Sequence, residues 1–127
     1  MMKPNDPNRS SPITAISAVT LITGDMDRAV SFYESLGFRI HYGGRDASFT
    51  SFHAGDGYLN LQAGDSASRA AKWGRMIYHV DDVDAMYACC IDAGLTPQFP
   101  PRDADWGERY FHIADPDGHE ISFAKPL

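Results

Sequence analysis

Residues 18–38 read AVTLITGDMDRAVSFYESLGF, and the change of hydrophobic period inside this stretch decides the fold. Its first six residues are apolar or β-branched and carry no helix signal, as a strand requires. The same run reaches back to Ile13 through ITAISAVTLIT. Gly24 closes it, and Asp25 or Asp27 can accept from the unpaired N–H groups that open a helix. Ala29, Phe32, Tyr33 and Leu36 then recur at spacings that put them in one apolar stripe on that helix. Gly37 supplies a left-handed stop. Beyond it three short strands are predicted, about Phe38–Tyr42, Ala47–His53 and Tyr58–Gln62, with Gly43-Gly44 and Asp56-Gly57 as the turns between them. Ala63–Gly74 (AGDSASRAAKWG) is small, polar and aperiodic, a connector.

After the connector the pattern repeats. Arg75–Val80 reads as a strand, and Asp82 opens a helix with Val83, Met86, Tyr87 and Cys90 on one face. Gly94 ends it. A Pro-rich segment leads to strands near Glu108–Ala114 and His119–Ala124, joined by the turn Asp115-Pro116-Asp117-Gly118. A shift of 57 residues carries Asp25 onto Asp82, Asp27 onto Asp84 and Gly37 onto Gly94. Agreement of strand, cap, stripe and stop makes this an internal duplication. The predicted fold is α+β: two tandem βαβββ modules forming a curved mixed sheet around a cleft. Module one covers about 13–65 and module two about 74–127, after a disordered N-terminal tail, 1–12.

The chain has 127 residues, of which 43% are hydrophobic and 22% charged, the balance of one ordinary globular domain. Its formal net charge is −6, and no Lys/Arg cluster interrupts that acidity. A phosphate-tracking groove is therefore not expected, so nucleic acid is excluded as a partner. No apolar run is long enough for a signal peptide or a membrane span. Cys89 and Cys90 are adjacent, which suits neither a disulfide nor a zinc pattern and fits a reducing cytoplasm. Cys90 reads as a small core residue.

At this point a resemblance appears. AVTLITGDMDRAVSFYESLGF resembles the opening of a module of the vicinal oxygen chelate superfamily (glyoxalase/bleomycin resistance protein/dioxygenase). WGERYFHIADPDGHEISFAKPL resembles the close of its second module. The likeness runs from about Ile13 to Leu127, and its motifs speak for fold more than for reaction. It implies that metal-dependent members take two ligands from each module, near the start of the first strand and on the last strand. By motif these positions hold Ala18, Asn60, Arg75 and Ser122. Alanine cannot coordinate, arginine stays protonated, and amide and hydroxyl are weak neutral donors. No metal and no other cofactor is therefore expected. Bleomycin-type members of the group are similarly acidic and metal-free, and they often bind ligand in clefts completed by a partner, which implies a homodimer.

Strand alternation sorts the candidate site residues. Tyr58, Asn60 and Gln62 are expected on the cleft side of module one, beside Ala18, Thr20 and Ile22. Arg75, Ile77, His79, Tyr110, His112, Glu120 and Ser122 are expected on that of module two, with Trp106 in a loop above. Arg75 either grips a ligand anion with its planar fork or pairs internally with Glu120. Tyr58 and Trp106 suit stacking. His79, His112 and Glu120 are the candidates for proton transfer, and together could form a displaced metal site. His41, His53 and His119 look like surface residues. The leading function is metal-independent binding of a small organic molecule. An alternative is a lyase, isomerase or dioxygenase-like enzyme with a rearranged or metal-free site; a third is an interaction module that only mediates subunit pairing.

Overall fold

The computed structural model describes residues 16–65 and 75–127. The N-terminal tail, the beginning of the first strand run and most of the connector lie outside them. Module one is built from β1 (Ala18–Thr23), α1 (Met26–Ser35), β2 (Ile40–Tyr42), β3 (Phe49–Ala54) and β4 (Gly57–Ala63). Module two is built from β5 (Arg75–His79), α2 (Val83–Asp92), β6 (Arg102–Asp103), β7 (Glu108–Ala114) and β8 (Glu120–Pro126). The mixed sheet is observed as two four-stranded sheets of identical design, ordered β1-β4-β3-β2 and β5-β8-β7-β6. In each, the first strand runs parallel to the last and the other pairs are antiparallel.

The repeat holds at the level of single residues. Adding 57 to the ends of α1 gives the ends of α2. Asp25 accepts from the backbone N–H of Arg28 and Asp82 from that of Ala85, the same cap in both modules. Gly37 and Gly94 both stop their helices with positive φ, 96° and 77°. The offset then grows. Ala18 pairs with Tyr58 and Arg75 with Glu120, so the later strands are related by 62 residues. The five extra residues fall between α2 and β8, around the Pro-rich segment that carries β6.

The predicted helix stripe is buried: Ala29, Phe32, Tyr33 and Leu36 sit in the core, as do Val83 and Cys90. Leu21, Phe52, Leu59 and Leu61 of the first sheet join Phe111, Ile113, Ile121 and Phe123 of the second in one buried cluster. Each large apolar side chain so covered stabilises the fold by roughly 1.5–3 kcal/mol. Both sheets therefore turn their helix-bearing sides toward a shared core. Alternation along the strands turns the opposite side of each sheet, here called its open face, away from that core.

Three details differ from the sequence reading. The β3–β4 turn is Gly55-Asp56, with Ala54 paired to Gly57, rather than Asp56-Gly57. Gly57 belongs to β4, where a Cβ would lie 2.8 Å from the carbonyl oxygen of Ser17; close approach of backbone, rather than turn geometry, requires glycine there. β6 had no counterpart in the prediction, because Pro97, Pro100 and Pro101 hide a strand of two residues. His119 is not a surface residue: it is 3% exposed, with its Nε2 2.9 Å from the carbonyl oxygen of Ile22. That contact ties the Asp115–Gly118 turn to β1. No helix among the described residues is long and apolar enough to cross a membrane.

Candidate functional site

The open face of the first sheet is an aromatic surface. Register places Ala18 beside Tyr58, Tyr58 beside His53, and Asn60 beside Ser51, so these side chains share a face. His41 joins them from β2: its ring centroid lies 4.8 Å from that of His53 and 4.7 Å from that of Tyr58. Tyr42 and Phe49 continue the face, 6.4 Å apart. Between Ala18, His41, Tyr42, Phe49 and Tyr58 lies a shallow hollow of about 370 Å³. Asn60 closes one side, its Nδ2 donating to Thr20 Oγ1 at 3.3 Å. Gln62 follows on the same face and is exposed. A groove of about 660 Å³ runs from Ala18 and Tyr58 to Arg75 and Ile77 of β5.

The open face of the second sheet carries the charge. Arg75 donates from Nε and Nη2 to a single oxygen, Glu120 Oε1, at 3.1 and 2.8 Å. His112 Nδ1 lies 3.3 Å from the same oxygen. The internal pairing of Arg75 is thus made, but it is a partly exposed ion pair of small net worth, which a ligand anion can exchange. Burial and then Arg75 hold the His112 pKa below the ordinary imidazole range; Glu120 opposes them and Arg102 adds to the lowering. His112 is therefore a neutral imidazole at pH 7.

Around His112 stands a box of rings. Phe99 and Tyr110 each lie 5.1 Å from it, and Trp106 lies 5.2 Å from Tyr110. Trp106 is 67% exposed, yet its Nε1 donates to Glu108 Oε1 at 3.0 Å, which fixes the indole over the sheet. The other oxygen of Glu108 holds His79 Nε2 at 3.0 Å.

The structure thus divides the predicted site residues into two groups. Tyr58, Asn60 and Gln62 occupy the first sheet. Arg75, His112, Glu120 and Tyr110 meet on the second, with Trp106 and His79 joined beside them through Glu108. Ser122 lies among them in sequence register but is only 4% exposed. His41 and His53 are exposed, as read from sequence, but His41 lines the aromatic hollow and His53 packs its ring beside His41 and Tyr58. Alternation from Tyr58 was signal enough to find them. Phe99 and Arg102 were missed because no strand was visible around them.

The positions implied for metal ligands do not fit a cation. Ala18 offers no donor atom, Arg75 is a protonated guanidinium already bonded to Glu120, and Asn60 and Ser122 are neutral. His79 turns to Glu108 while His112 lies against Glu120, so the displaced site considered above does not assemble. Among the described residues no group of three or more His, Cys, Asp or Glu is placed to hold a metal ion.

Comparison with known proteins agrees with this architecture. Residues 15–123 match the model of the Glyoxalase/Bleomycin resistance protein/Dioxygenase superfamily. The crystal structure of a bleomycin resistance determinant encoded on the transposon Tn5 superimposes with a TM-score of 0.72 at 27% identity, over 89% of this chain and 98% of that one. The crystal structure of a bleomycin-binding protein complexed with bleomycin gives a TM-score of 0.70 at 26% identity, over 91% and 100%. An uncharacterized protein of Mycobacterium tuberculosis is 42% identical over 48 residues, 38% of this chain. That match spans only 28% of the relative's own length.

Proposed function

Since this chain belongs to the Glyoxalase/Bleomycin resistance protein/Dioxygenase superfamily, we propose that it binds a small organic molecule on the open faces of its two sheets, without the divalent cation of the metal-dependent members. The donor set carries this reading: an alanine, an amide, an ion-paired guanidinium and a buried hydroxyl stand where a cation would need carboxylates or imidazoles. What those faces do offer is apolar and aromatic surface, with Tyr42, Tyr58, Ile77 and Trp106 uncovered. The bleomycin-binding relative supports this class of ligand.

Each open face is one wall, and a second copy of the chain supplies the opposite wall, so the binding unit is a homodimer. Net acidity and the pairing of Arg45, Arg75 and Arg109 with carboxylates argue against a nucleic-acid partner. The free thiols Cys89 and Cys90 suit the cytoplasm.

The test is elemental analysis of protein purified without chelators, together with thermal-shift measurements against aromatic small molecules. Ligand-dependent stabilisation that Trp106→Ala weakens, with metal far below one equivalent, is the expected result. One tightly held equivalent of metal whose removal lowers the melting temperature overturns the reading.

One contact favours a second reading, a metal-free lyase or isomerase: the neutral His112 beside Glu120 and Arg75. An imidazole so placed can move a proton while the guanidinium stabilises an oxyanion. Turnover lost in His112→Asn with ligand binding retained is the result that would establish it.

A further inference from the structure

We propose that Arg102 is the recognition element for an anionic group on a planar ligand, an aryl carboxylate or sulfonate, docked against the ring box of the second sheet. This rests on the reading of the open faces as ligand-binding and adds the ligand's charge and the side chain that reads it.

The argument starts from β6. Its two residues pair with β7, Arg102 opposite Tyr110, which brings the Arg102 side chain along the sheet toward Tyr110 and His112. There the guanidinium is fixed on two sides. Its Cζ lies 3.8 Å from the centre of the Phe99 ring, a cation–π stack, and its Nε donates to the Tyr110 hydroxyl at 3.1 Å. Phe99 and Tyr110 are themselves packed edge to face, with centroids 5.5 Å apart.

Charge accounting separates Arg102 from the other arginines that are held in place. Arg45, Arg75 and Arg109 each contact at least one carboxylate. Among the described residues, Arg102 is held only by a neutral hydroxyl and by ring faces. Because Nε is spent on Tyr110, the end of the fork, Nη1 and Nη2, remains to be used. Two parallel N–H groups at that spacing match the two oxygens of a carboxylate or sulfonate. Rotamer freedom has already been lost to the stack, so little further ordering opposes binding.

The surroundings set the rest of the ligand. Trp106 stands beside Tyr110, largely exposed and fixed by Glu108, a flat wall for a conjugated ring. His112, neutral and next to Tyr110, adds a polar edge without a competing positive charge. A ligand anion would have to displace Glu120 to reach Arg75, whereas Arg102 has no carboxylate partner to displace among the described residues.

The experiment compares two fluorescent probes with the same ring skeleton, 1-anilinonaphthalene-8-sulfonate and the uncharged N-phenyl-1-naphthylamine. The expected result is tighter binding of the sulfonate by about tenfold or more, the usual effect of a charge-assisted bidentate contact. Arg102→Gln should abolish that preference and leave the neutral probe unchanged. Arg102→Lys should restore part of it. Arg28→Gln, which removes the same charge from the far module, should change neither. Arg102 is exposed on an edge strand, and matched thermal melts verify that its variants fold. Equal binding of both probes, or a sulfonate preference that survives in Arg102→Gln, overturns the anion site while leaving the ligand-binding reading intact. Failure of the wild-type protein to bind either probe overturns that reading, and the anion site with it.

Discussion

The phenol of Tyr33 donates a 2.7 Å hydrogen bond to Oδ2 of Asp115, a residue 82 positions away in the other module. Both groups are buried, and Oδ1 of the same carboxylate accepts from the backbone N–H groups of Asp117 and His119. Asp117 in turn accepts from Gly24 N at 3.0 Å. The FY pair of α1 and the Asp-Pro-Asp-Gly turn are therefore the clasp between the two halves.

Tyr33→Phe keeps the ring packing and removes only the hydroxyl, leaving one carboxylate oxygen of Asp115 unbonded. A loss of about 1–3 kcal/mol in urea unfolding is expected. Tyr78 supplies the contrast. Its ring lies 5.3 Å from Phe38 across the same interface, but its buried hydroxyl has no partner among the described residues. Tyr78→Phe should be neutral or slightly stabilising. Equal losses from the two substitutions would mean that the Asp115 contact contributes nothing specific.

Glycine 57 tests close approach between β1 and β4. Its φ is unremarkable, so alanine there meets only a steric problem: the added methyl would lie 2.8 Å from Ser17 O and 3.2 Å from Ile16 O, both backbone atoms. Gly57→Ala should cost about 1–3 kcal/mol by forcing the strands apart. Chemical shifts of Ala18 and Tyr58 should move, since these residues pair next to the clash. A variant as stable as the parent would show that the strand entry gives way freely.

His112 gives a pH signature. Its folded pKa lies below the ordinary imidazole value, so between those two values the unfolded chain binds the extra proton. Stability from this residue is full above about pH 6.5 and is lost as pH falls through the folded value. An NMR titration should place the His112 ring below the ordinary imidazole range. Arg75→Gln should move it upward, because a repelling charge leaves and Glu120 is released. Burial is the leading cause, so part of the shift should persist. A titration unaffected by Arg75→Gln would remove the guanidinium from the electrostatics of the site.

Local signals were legible in the sequence. Caps, stripes and glycine stops placed both helices, because each depends on residues within one or two turns. The open-face residues followed from alternation once β1, β4 and β5 were placed. Arg102 and Phe99 were invisible for a physical reason: β6 exists only through its pairing with β7, within a Pro-rich segment that carries no strand pattern of its own. His119 was misread because what buries it, the Ile22 carbonyl, lies 97 residues earlier. Nor did one chain's sequence reveal that the helix-bearing sides would share a core, which decides where the open faces point.

That orientation leads to the last prediction. Ile77 sits in the middle of β5, 56% exposed, on the open face and beside the groove that reaches Ala18 and Tyr58. Among the described residues nothing covers it, so Ile77→Glu should leave the protomer folded, with stability changed by no more than about 0.5 kcal/mol. If a second copy forms the opposite wall, the same substitution places an unpaired carboxylate in the contact between chains, where desolvation strongly opposes association. Sedimentation velocity should then show a dimer for the parent and a monomer for Ile77→Glu at equal concentration. Ligand-induced stabilisation should fall with it, because each site would have lost a wall. A variant that remains dimeric, or a monomer that binds ligand as tightly as the parent, would place the binding site within one chain.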